Sequence, residues 1–107
     1  MDQVGPGPNF AATGVVTGDR VVVTVSGEVD MATAEAMTRA ATARAATAAL
    51  IDLRAVTFFD SAAIHALLRL AERYGAAFEV LPSSQVHRVL EISGLANQPW
   101  LREVQGC

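Results

Sequence analysis

Ser61 is the residue of this sequence whose surroundings most suggest chemistry. Asp60 precedes it, and His65 follows four positions later. Residues four apart are neighbours on one face of a helix, so Ser61 and His65 lie side by side if this segment is helical. A serine in such a place can cap a helix, accept a phosphoryl group or act as a nucleophile. These three roles require different surroundings.

The segment that begins at Ser61 has the periodicity of an amphipathic helix. With about 100° of rotation per residue, its apolar side chains fall between about 180° and 340° and its polar ones between 0° and about 120°. The apolar group is Ile64, Leu67, Leu68, Leu70, Ala71 and Tyr74, and the polar group is Ser61, His65, Arg69, Glu72 and Arg73. The pattern predicts a helix over residues 61–74, ended by Gly75, with Ser61 on its solvent-facing side.

The start of a helix suits two of the three roles. Serine and aspartate accept hydrogen bonds from the free N–H groups of a first helical turn, so capping is the default interpretation of Asp60 and Ser61. A phosphoryl group on Ser61 would lie beside the same donors, at the positive end of the helix dipole. It would add about −1.5 to −2 units of charge beside Asp60 and the neighbouring Phe58. A partner docked at this surface would then be repelled.

A serine hydrolase using Ser61 and His65 is the third interpretation. A nucleophilic serine needs a base held by a third group, an oxyanion hole and usually a cleft, whereas this pair lies on a convex helix face. No glycine-rich nucleophile elbow or phosphate loop is present in the sequence, and His87 is too isolated from His65 to predict a metal site. The sequence therefore predicts a protein that is not an enzyme and has no cofactor.

Strands and helices alternate along the rest of the chain. The predicted strands are residues 10–16, 20–26, 48–53 and 76–81, with a further edge strand at 100–104, and the predicted helices are 31–44, 61–74 and one opened by Pro82-Ser83-Ser84. A turn at residues 17–20 predicts a hairpin between the first two strands. The second strand is apolar on both faces, which places it inside the sheet. This order predicts an α/β fold with parallel strands joined by right-handed crossovers.

Sheets of this kind carry their functional loops at the carboxyl ends of the parallel strands. Two loops are therefore predicted to form the site. One is residues 27–30, which leave the second strand, and the other is residues 54–60, which leave the third.

Composition excludes several classes of function. The chain has 107 residues, 51% of them hydrophobic and 18% charged, with a formal net charge of −3, which is typical of one compact domain. Its eight basic residues are all arginines spread along the chain, so no basic patch predicts direct binding to nucleic acid.

The ends of the chain support a cytoplasmic location. Residues 1–8 end in Gly5-Pro6-Gly7-Pro8 and are predicted to form a flexible leader, with the domain at 9–107. The single cysteine, Cys107, excludes a disulfide framework. No apolar run approaches the length of about 20 residues that a membrane span needs, and no signal peptide is visible.

Four segments of this chain resemble the STAS domains, and among these the small bacterial anti-sigma factor antagonists. The segments are Val23–Asp30, Leu50–Leu53, Val56–Ser61 running into Ile64 and Leu67-Leu68, and Val86–Leu95. Each segment is weak evidence alone, but their order and spacing are specific. The resemblance extends from about Val15 to Val104 and implies a mixed sheet of four or five strands with helices packed over it.

The resemblance also implies a role in the regulation of transcription by partner switching. In that family, an anti-sigma factor that is itself an ATP-dependent serine kinase phosphorylates the serine that follows this aspartate. The unmodified antagonist binds the kinase and frees its sigma factor. By this resemblance Ser61 would be the phosphoacceptor, and Asp30 and Asp60, with Glu28 and Phe58 added, would form the partner-binding surface. Asp30 would also serve as the N-cap of the first helix.

One departure from the family leaves an alternative open. Family members often have glycine two residues after the acceptor, where this chain has Ala63. The extra Cβ is predicted to crowd a docking kinase. The alternative is a STAS docking subunit of another complex, such as a lipid-transport ATPase or a stress-signalling assembly, without regulation by phosphorylation. Weak self-association also stays open.

Overall fold

Four strands and three α-helices follow one another in the computed structural model, which describes residues 9–104. The elements are β1 (Phe10–Thr17), β2 (Arg20–Val29), α1 (Ala34–Thr42), β3 (Ala48–Phe59), α2 (Ser61–Tyr74), β4 (Phe78–Pro82) and α3 (Ser84–Ile92), with a 3₁₀ turn at Gly75–Ala77. The leader predicted for residues 1–8 and Cys107 lie outside the described residues.

The sheet has the strand order β1-β2-β3-β4. β1 pairs antiparallel with β2, while β3 is parallel to both β2 and β4. Gly18 forms the hairpin turn with a φ of 63°, a value that favours glycine. The predictions of an α/β fold, a mixed sheet and an opening hairpin are therefore confirmed.

One face of the sheet forms the core together with the helices. In the regular parts of β2, β3 and β4 every second side chain is buried, as a two-residue repeat requires. The buried set is Val21, Val23, Val25, Ala49, Ile51, Leu53, Phe78 and Val80. The helices α1 and α2 are joined by a buried hydrogen bond of 2.7 Å from the Tyr74 hydroxyl to the Ala41 carbonyl oxygen. Over this core, α2 occupies the predicted residues 61–74.

β3 continues six residues beyond its predicted end at Leu53, and two bulges interrupt its two-residue repeat there. Between the pairs Thr24–Asp52 and Ser26–Ala55, β3 advances by three residues and β2 by two. A second shift follows between Gly27 and Glu28. The predicted loops 27–30 and 54–60 are therefore wrong for the most part: both strands continue to Val29 and Phe59, side by side. Only Asp30 and Asp60 lie beyond the strands.

The side chain of Asp52 stabilises the first bulge. Its Oδ1 accepts hydrogen bonds from the Arg54 backbone N–H at 3.1 Å and from Arg54 Nε at 2.9 Å, and its Oδ2 accepts one from Arg54 Nη2 at 2.8 Å. A bulge leaves a backbone group without its ladder partner, and this carboxylate supplies one. The hydrogen bonds from Arg54 also lower the pKa of Asp52 below its ordinary value of 3.8.

Two further elements differ from their predicted extents. The first helix begins at Ala34 rather than near residue 31, because the Asp30 carboxylate holds residues 31–33 in a turn. The edge strand predicted at 100–104 is reduced to one bridge between Val80 and Leu101, since a turn closed by the hydrogen bond from Leu101 N–H to the Gln98 carbonyl oxygen bends the chain there. Within residues 9–104, no helix has the length and apolar character needed to cross a bilayer.

Candidate partner-binding site

The carboxyl ends of β2 and β3 lie next to each other and form one corner of the molecule. Val29 pairs with Phe59, and the Asp60 N–H donates a hydrogen bond of 3.3 Å to the Val29 carbonyl oxygen. Asp30 and Asp60 are therefore the first residues after two adjacent parallel strands. The structure brings the two carboxylates that were predicted from separate segments to the same edge of the sheet.

Asp60 is the N-cap of α2, and Ser61 is the first residue within the helix. Asp60 Oδ1 accepts a hydrogen bond of 3.1 Å from the Ala63 N–H. The default interpretation, a helix cap, is thus confirmed for Asp60 and is wrong for Ser61. The Ser61 side chain is exposed, and its hydroxyl forms no hydrogen bond within residues 9–104. The hydroxyl is therefore accessible from solvent to another protein.

Asp30 closes the turn that precedes α1. Its Oδ1 accepts hydrogen bonds from the Ala32 N–H at 3.0 Å, the Thr33 N–H at 3.2 Å and the Thr33 hydroxyl at 3.1 Å. The N-cap position of α1 itself belongs to Thr33, so the prediction that Asp30 is the N-cap is wrong by one turn. The half-buried Asp30 carboxylate is held in place by these bonds, at the same corner as Asp60.

Glu28 and Phe58 are neighbours across the β2–β3 pair. They are register partners in the parallel ladder, and both side chains are exposed. Phe58 leaves 49% of its surface accessible, whereas the adjacent Phe59 is buried in the core at 3%. The corner thus combines three carboxylates, those of Glu28, Asp30 and Asp60, with one exposed aromatic ring.

Met31 is a member of this surface that the sequence analysis missed. It was assigned to the first helix, but it lies in the turn after Asp30 with 82% of its surface exposed. Met31, Ala62 and His65 line a groove of about 450 Å³ between α1 and α2. The signal in the sequence is an apolar residue directly after an aspartate that closes a turn.

A family model described as "Mlab, STAS domain" matches residues 14–103, nearly the whole described chain. The chain belongs to the STAS domain family. No curated protein matches its sequence.

Solved structures similar to this STAS domain include anti-sigma factor antagonists. An anti-sigma factor antagonist from Mycobacterium paratuberculosis is 29% identical, with a TM-score of 0.76 over 92% of this chain and 91% of that one. The antagonist SpoIIAA in its unphosphorylated form is 26% identical, with a TM-score of 0.65 over 90% and 88%. The Bacillus cell fate determinant SpoIIAA in the phosphorylated form, at 24% identity and a TM-score of 0.64 over 90% and 91%, supports the fold alone.

Ala63 of this STAS domain does not face the corner surface. Its side chain is fully buried on the core side of α2, and its N–H is the group that Asp60 caps. The prediction that its Cβ crowds a docking partner is therefore wrong, because the methyl group points into the apolar core.

His65 lies on the exposed face of α2, one turn after Ser61. Within residues 9–104, the hydrogen bonds of the structure include none that holds the His65 ring, so the orienting group that a serine–histidine pair needs for catalysis is not found there. The same part of the chain contains no cluster of three or more histidine, cysteine, aspartate or glutamate side chains arranged to bind a metal.

Proposed function

We propose that this chain is an anti-sigma factor antagonist controlled by phosphorylation of Ser61. Its unphosphorylated form binds an anti-sigma factor serine kinase and releases the sigma factor, and its phosphorylated form does not bind. Two antagonists that are 29% and 26% identical over about nine-tenths of the chain support the general role. The observation that carries the proposal is the exposed Ser61 at the start of α2, directly after the capping residue Asp60 and at the same edge of the sheet as Asp30.

The proposed reaction is a phosphoryl transfer that the kinase catalyses. The Ser61 Oγ attacks the γ-phosphorus of ATP, the new Oγ–P bond forms, and the bond from that phosphorus to the β–γ bridging oxygen breaks. ADP leaves, and the hydroxyl proton passes to a base of the kinase or to water. The STAS domain needs only to present the hydroxyl. We place this exchange, and the chain, in the cytoplasm, where ATP is available.

Phosphorylation would act on binding through charge rather than by unfolding the domain. Ser61 is exposed, so a phosphoryl group displaces nothing from the core. It adds about −1.5 to −2 units of charge to a corner that already holds the carboxylates of Asp30 and Asp60. A partner packed against the unmodified hydroxyl has no counterion placed for this added charge, and burying an unpaired ion at an interface costs several kcal/mol.

The proposed partner-binding surface has an acidic centre and two apolar anchors. Asp60 precedes Ser61 and Asp30 follows the adjacent strand, while Phe58 lies on the sheet side and Met31 on the helix side. Aromatic residues and methionine are enriched in protein–protein interfaces relative to the rest of the surface. We propose that Glu28 belongs to the rim of the same surface.

The test is phosphorylation and binding by the anti-sigma factor kinases encoded in the same genome. The full chain is incubated with each kinase and ATP, and intact mass and peptide fragmentation locate the modification. We expect one phosphoryl group on Ser61. Ser61→Ala should retain kinase binding and lose the modification, and Ser61→Asp should weaken binding. The proposal is wrong if no kinase modifies Ser61 and Ser61→Asp binds as tightly as the unmodified chain.

A second candidate is a constitutive docking subunit of a larger complex, such as a lipid-transport ATPase or a stress-signalling assembly. It is favoured by the matching family model, whose description names Mlab and not an antagonist. The same corner would then be a permanent contact. Purification from native cells should recover the other subunits of that complex, and Ser61→Ala and Ser61→Asp should leave its assembly unchanged.

A further inference from the structure

We propose that His65 binds the phosphoryl group of phosphorylated Ser61 and holds it along the exposed face of α2. This inference rests on the proposed function, because it concerns the state that phosphorylation of Ser61 creates. The sequence places His65 beside Ser61 on one helix face, but the proposed function assigns His65 no role.

The capping interaction of Asp60 restricts where the phosphoryl group can go. An anion at a helix start ordinarily accepts hydrogen bonds from the free N–H groups of the first turn. Here the Ala63 N–H already donates to Asp60 Oδ1 at 3.1 Å. The Asp60 carboxylate also repels a second anion placed beside it. One of the first-turn donors is thus already occupied, and the carboxylate disfavours a phosphoryl group placed beside the cap.

His65 offers the phosphoryl group a cationic partner further along the helix, away from the Asp60 carboxylate. It is exposed and one helical turn after Ser61, and side chains four residues apart on a helix have Cβ atoms about 5–6 Å from each other. The phosphoserine side chain and the imidazole are both long enough to close that distance. A protonated imidazole and a phosphate dianion then form a charge-assisted hydrogen bond.

The charged groups around His65 do not oppose this pairing. His65 borders two surface grooves, one between α1 and α2 and one between α2 and the segment Gln98–Trp100. Arg69, one turn further along α2, lines both grooves, and Glu72 lines the second. From α1, Glu35 and Arg39 face the groove, and they pair with each other at 3.4 Å. The segment at Gln98–Trp100, which borders His65 on the other side, brings no charge. The cations therefore balance the carboxylates around the ring.

The pairing predicts a measurable property of the phosphate. A neighbouring imidazolium favours the dianion over the monoanion, so the second ionisation of the phosphoserine moves to lower pH. The second ionisation adds one charge to the phosphate, and ion pairs of single charges at this helical spacing contribute about 0.2–0.5 kcal/mol, which converts to a shift of about 0.15–0.4 pH unit.

The experiment uses the full chain with phosphoserine placed at position 61 during translation, so that no kinase is required. Its ³¹P resonance is followed as a function of pH for the otherwise unchanged chain and for His65→Gln and His87→Gln. We expect the midpoint of the unchanged chain to lie about 0.15–0.4 pH unit below that of His65→Gln. His87 lies on α3, so His87→Gln is the matched control and should titrate like the unchanged chain.

A second measurement follows the two histidine rings by ¹H–¹⁵N correlation spectra at a fixed pH near neutrality. The ring signals of His65 should move between the serine and phosphoserine forms, whereas those of His87 stay in place. The inference is overturned if His65→Gln leaves the ³¹P midpoint unchanged or if both rings respond equally. A kinase that fails to modify Ser61 would overturn the proposed function and leave both measurements valid.

Discussion

The two halves of β3 differ in how they bury their side chains. In the amino-terminal half, Ala49, Ile51 and Leu53 are buried, which is every second residue, while in the carboxyl-terminal half the buried residues are Leu53, Val56 and Phe59, which is every third. The change coincides with the two register shifts against β2. The first half is a regular parallel strand whose buried face is covered by the helices. The second half delivers Asp60 and Ser61 to the corner beside Asp30.

The difference shows that the regular and irregular parts of one strand have separate roles. Regular pairing maximises contact with the core, whereas bulges re-aim the strand and are common next to functional sites. Within β3, the first extra residue places Val56 in the core instead of Ala55, and the second restores the original alternation, so that Phe59 is buried and Phe58 exposed. The irregular half is thus where alterations should affect binding as well as stability.

The largest expected effect comes from Gly27, which lies between the two bulges. Its φ is 86°, and a Cβ built there would lie 1.8 Å from the Asn9 carbonyl oxygen. We expect Gly27→Ala to lower the free energy of unfolding by about 3 kcal/mol or more, because the backbone itself must move. Urea unfolding followed by circular dichroism measures the loss.

Gly18→Ala is the matched control for this substitution at the regular end of the sheet. Gly18 has a φ of 63°, but nothing lies within 4 Å of an added Cβ. The control should therefore lose only the conformational term, about 1–2 kcal/mol. Equal losses for the two substitutions would contradict the assignment of a close backbone approach at Gly27.

The next effect concerns binding and compares Met31 with Ile92. Both are large apolar side chains, 82% and 79% exposed, but Ile92 lies at the end of α3. We expect Met31→Ser to weaken binding to the kinase by about tenfold, the loss typical of an interface anchor, and Ile92→Ser to change it little. Isothermal titration calorimetry with the kinase measures both. A larger loss of affinity for Ile92→Ser than for Met31→Ser would show that the kinase binds near the end of α3 and not at the corner.

A smaller effect separates the two roles of Asp60. Removing the cap with Asp60→Ala should cost about 1 kcal/mol of stability, whereas Asp60→Asn keeps a cap of similar quality. We expect Asp60→Asn to unfold at nearly the same urea concentration as the unsubstituted chain and yet to bind the kinase with altered affinity. If both substitutions destabilise the chain equally, the charge rather than the cap holds the start of α2.

The smallest effect is the pH dependence of the first bulge. Since the folded-state pKa of Asp52 is lowered by Arg54, its ionised form stabilises the fold at pH values above the ordinary pKa of 3.8. This contribution is lost as the pH falls through the folded-state pKa. Asp52→Asn should therefore reduce the melting temperature slightly at pH 7, and the difference should shrink below pH 3.8. A difference that is constant with pH would exclude the ionic contribution.

The sequence predicted those elements whose signals are local. The period of residues 61–74 defined α2 completely, and the turn around Gly18 defined the hairpin. The carboxyl half of β3 was mistaken for a loop because its bulges replace the two-residue repeat, and its pairing with β2 depends on residues about 30 positions away. Met31 was missed for a related reason, since the turn that exposes it depends on hydrogen bonds to the Asp30 side chain.

At the site, residue types were more informative than their exact roles. Asp60 and Ser61 are both good capping residues, and only the backbone geometry assigns the cap to Asp60. The proximity of Asp30 to Asp60 was expected because the ends of adjacent parallel strands meet at one edge. The burial of Ala63 follows from the period of residues 61–74 rather than from the family pattern, because position 63 lies at about 200° from Ser61, within the apolar side of α2.

The short contact between β4 and the segment after α3 has a consequence for solubility. The Val80 N–H donates a hydrogen bond of 2.9 Å to the Trp100 carbonyl oxygen, and the Val80 carbonyl oxygen accepts one of 3.0 Å from the Arg102 N–H. These are the groups of an outer strand that a foreign strand would otherwise recruit. Pro82 at the end of β4 also has no N–H to offer. A few residues of irregular chain thus protect this side of the molecule from indefinite sheet growth.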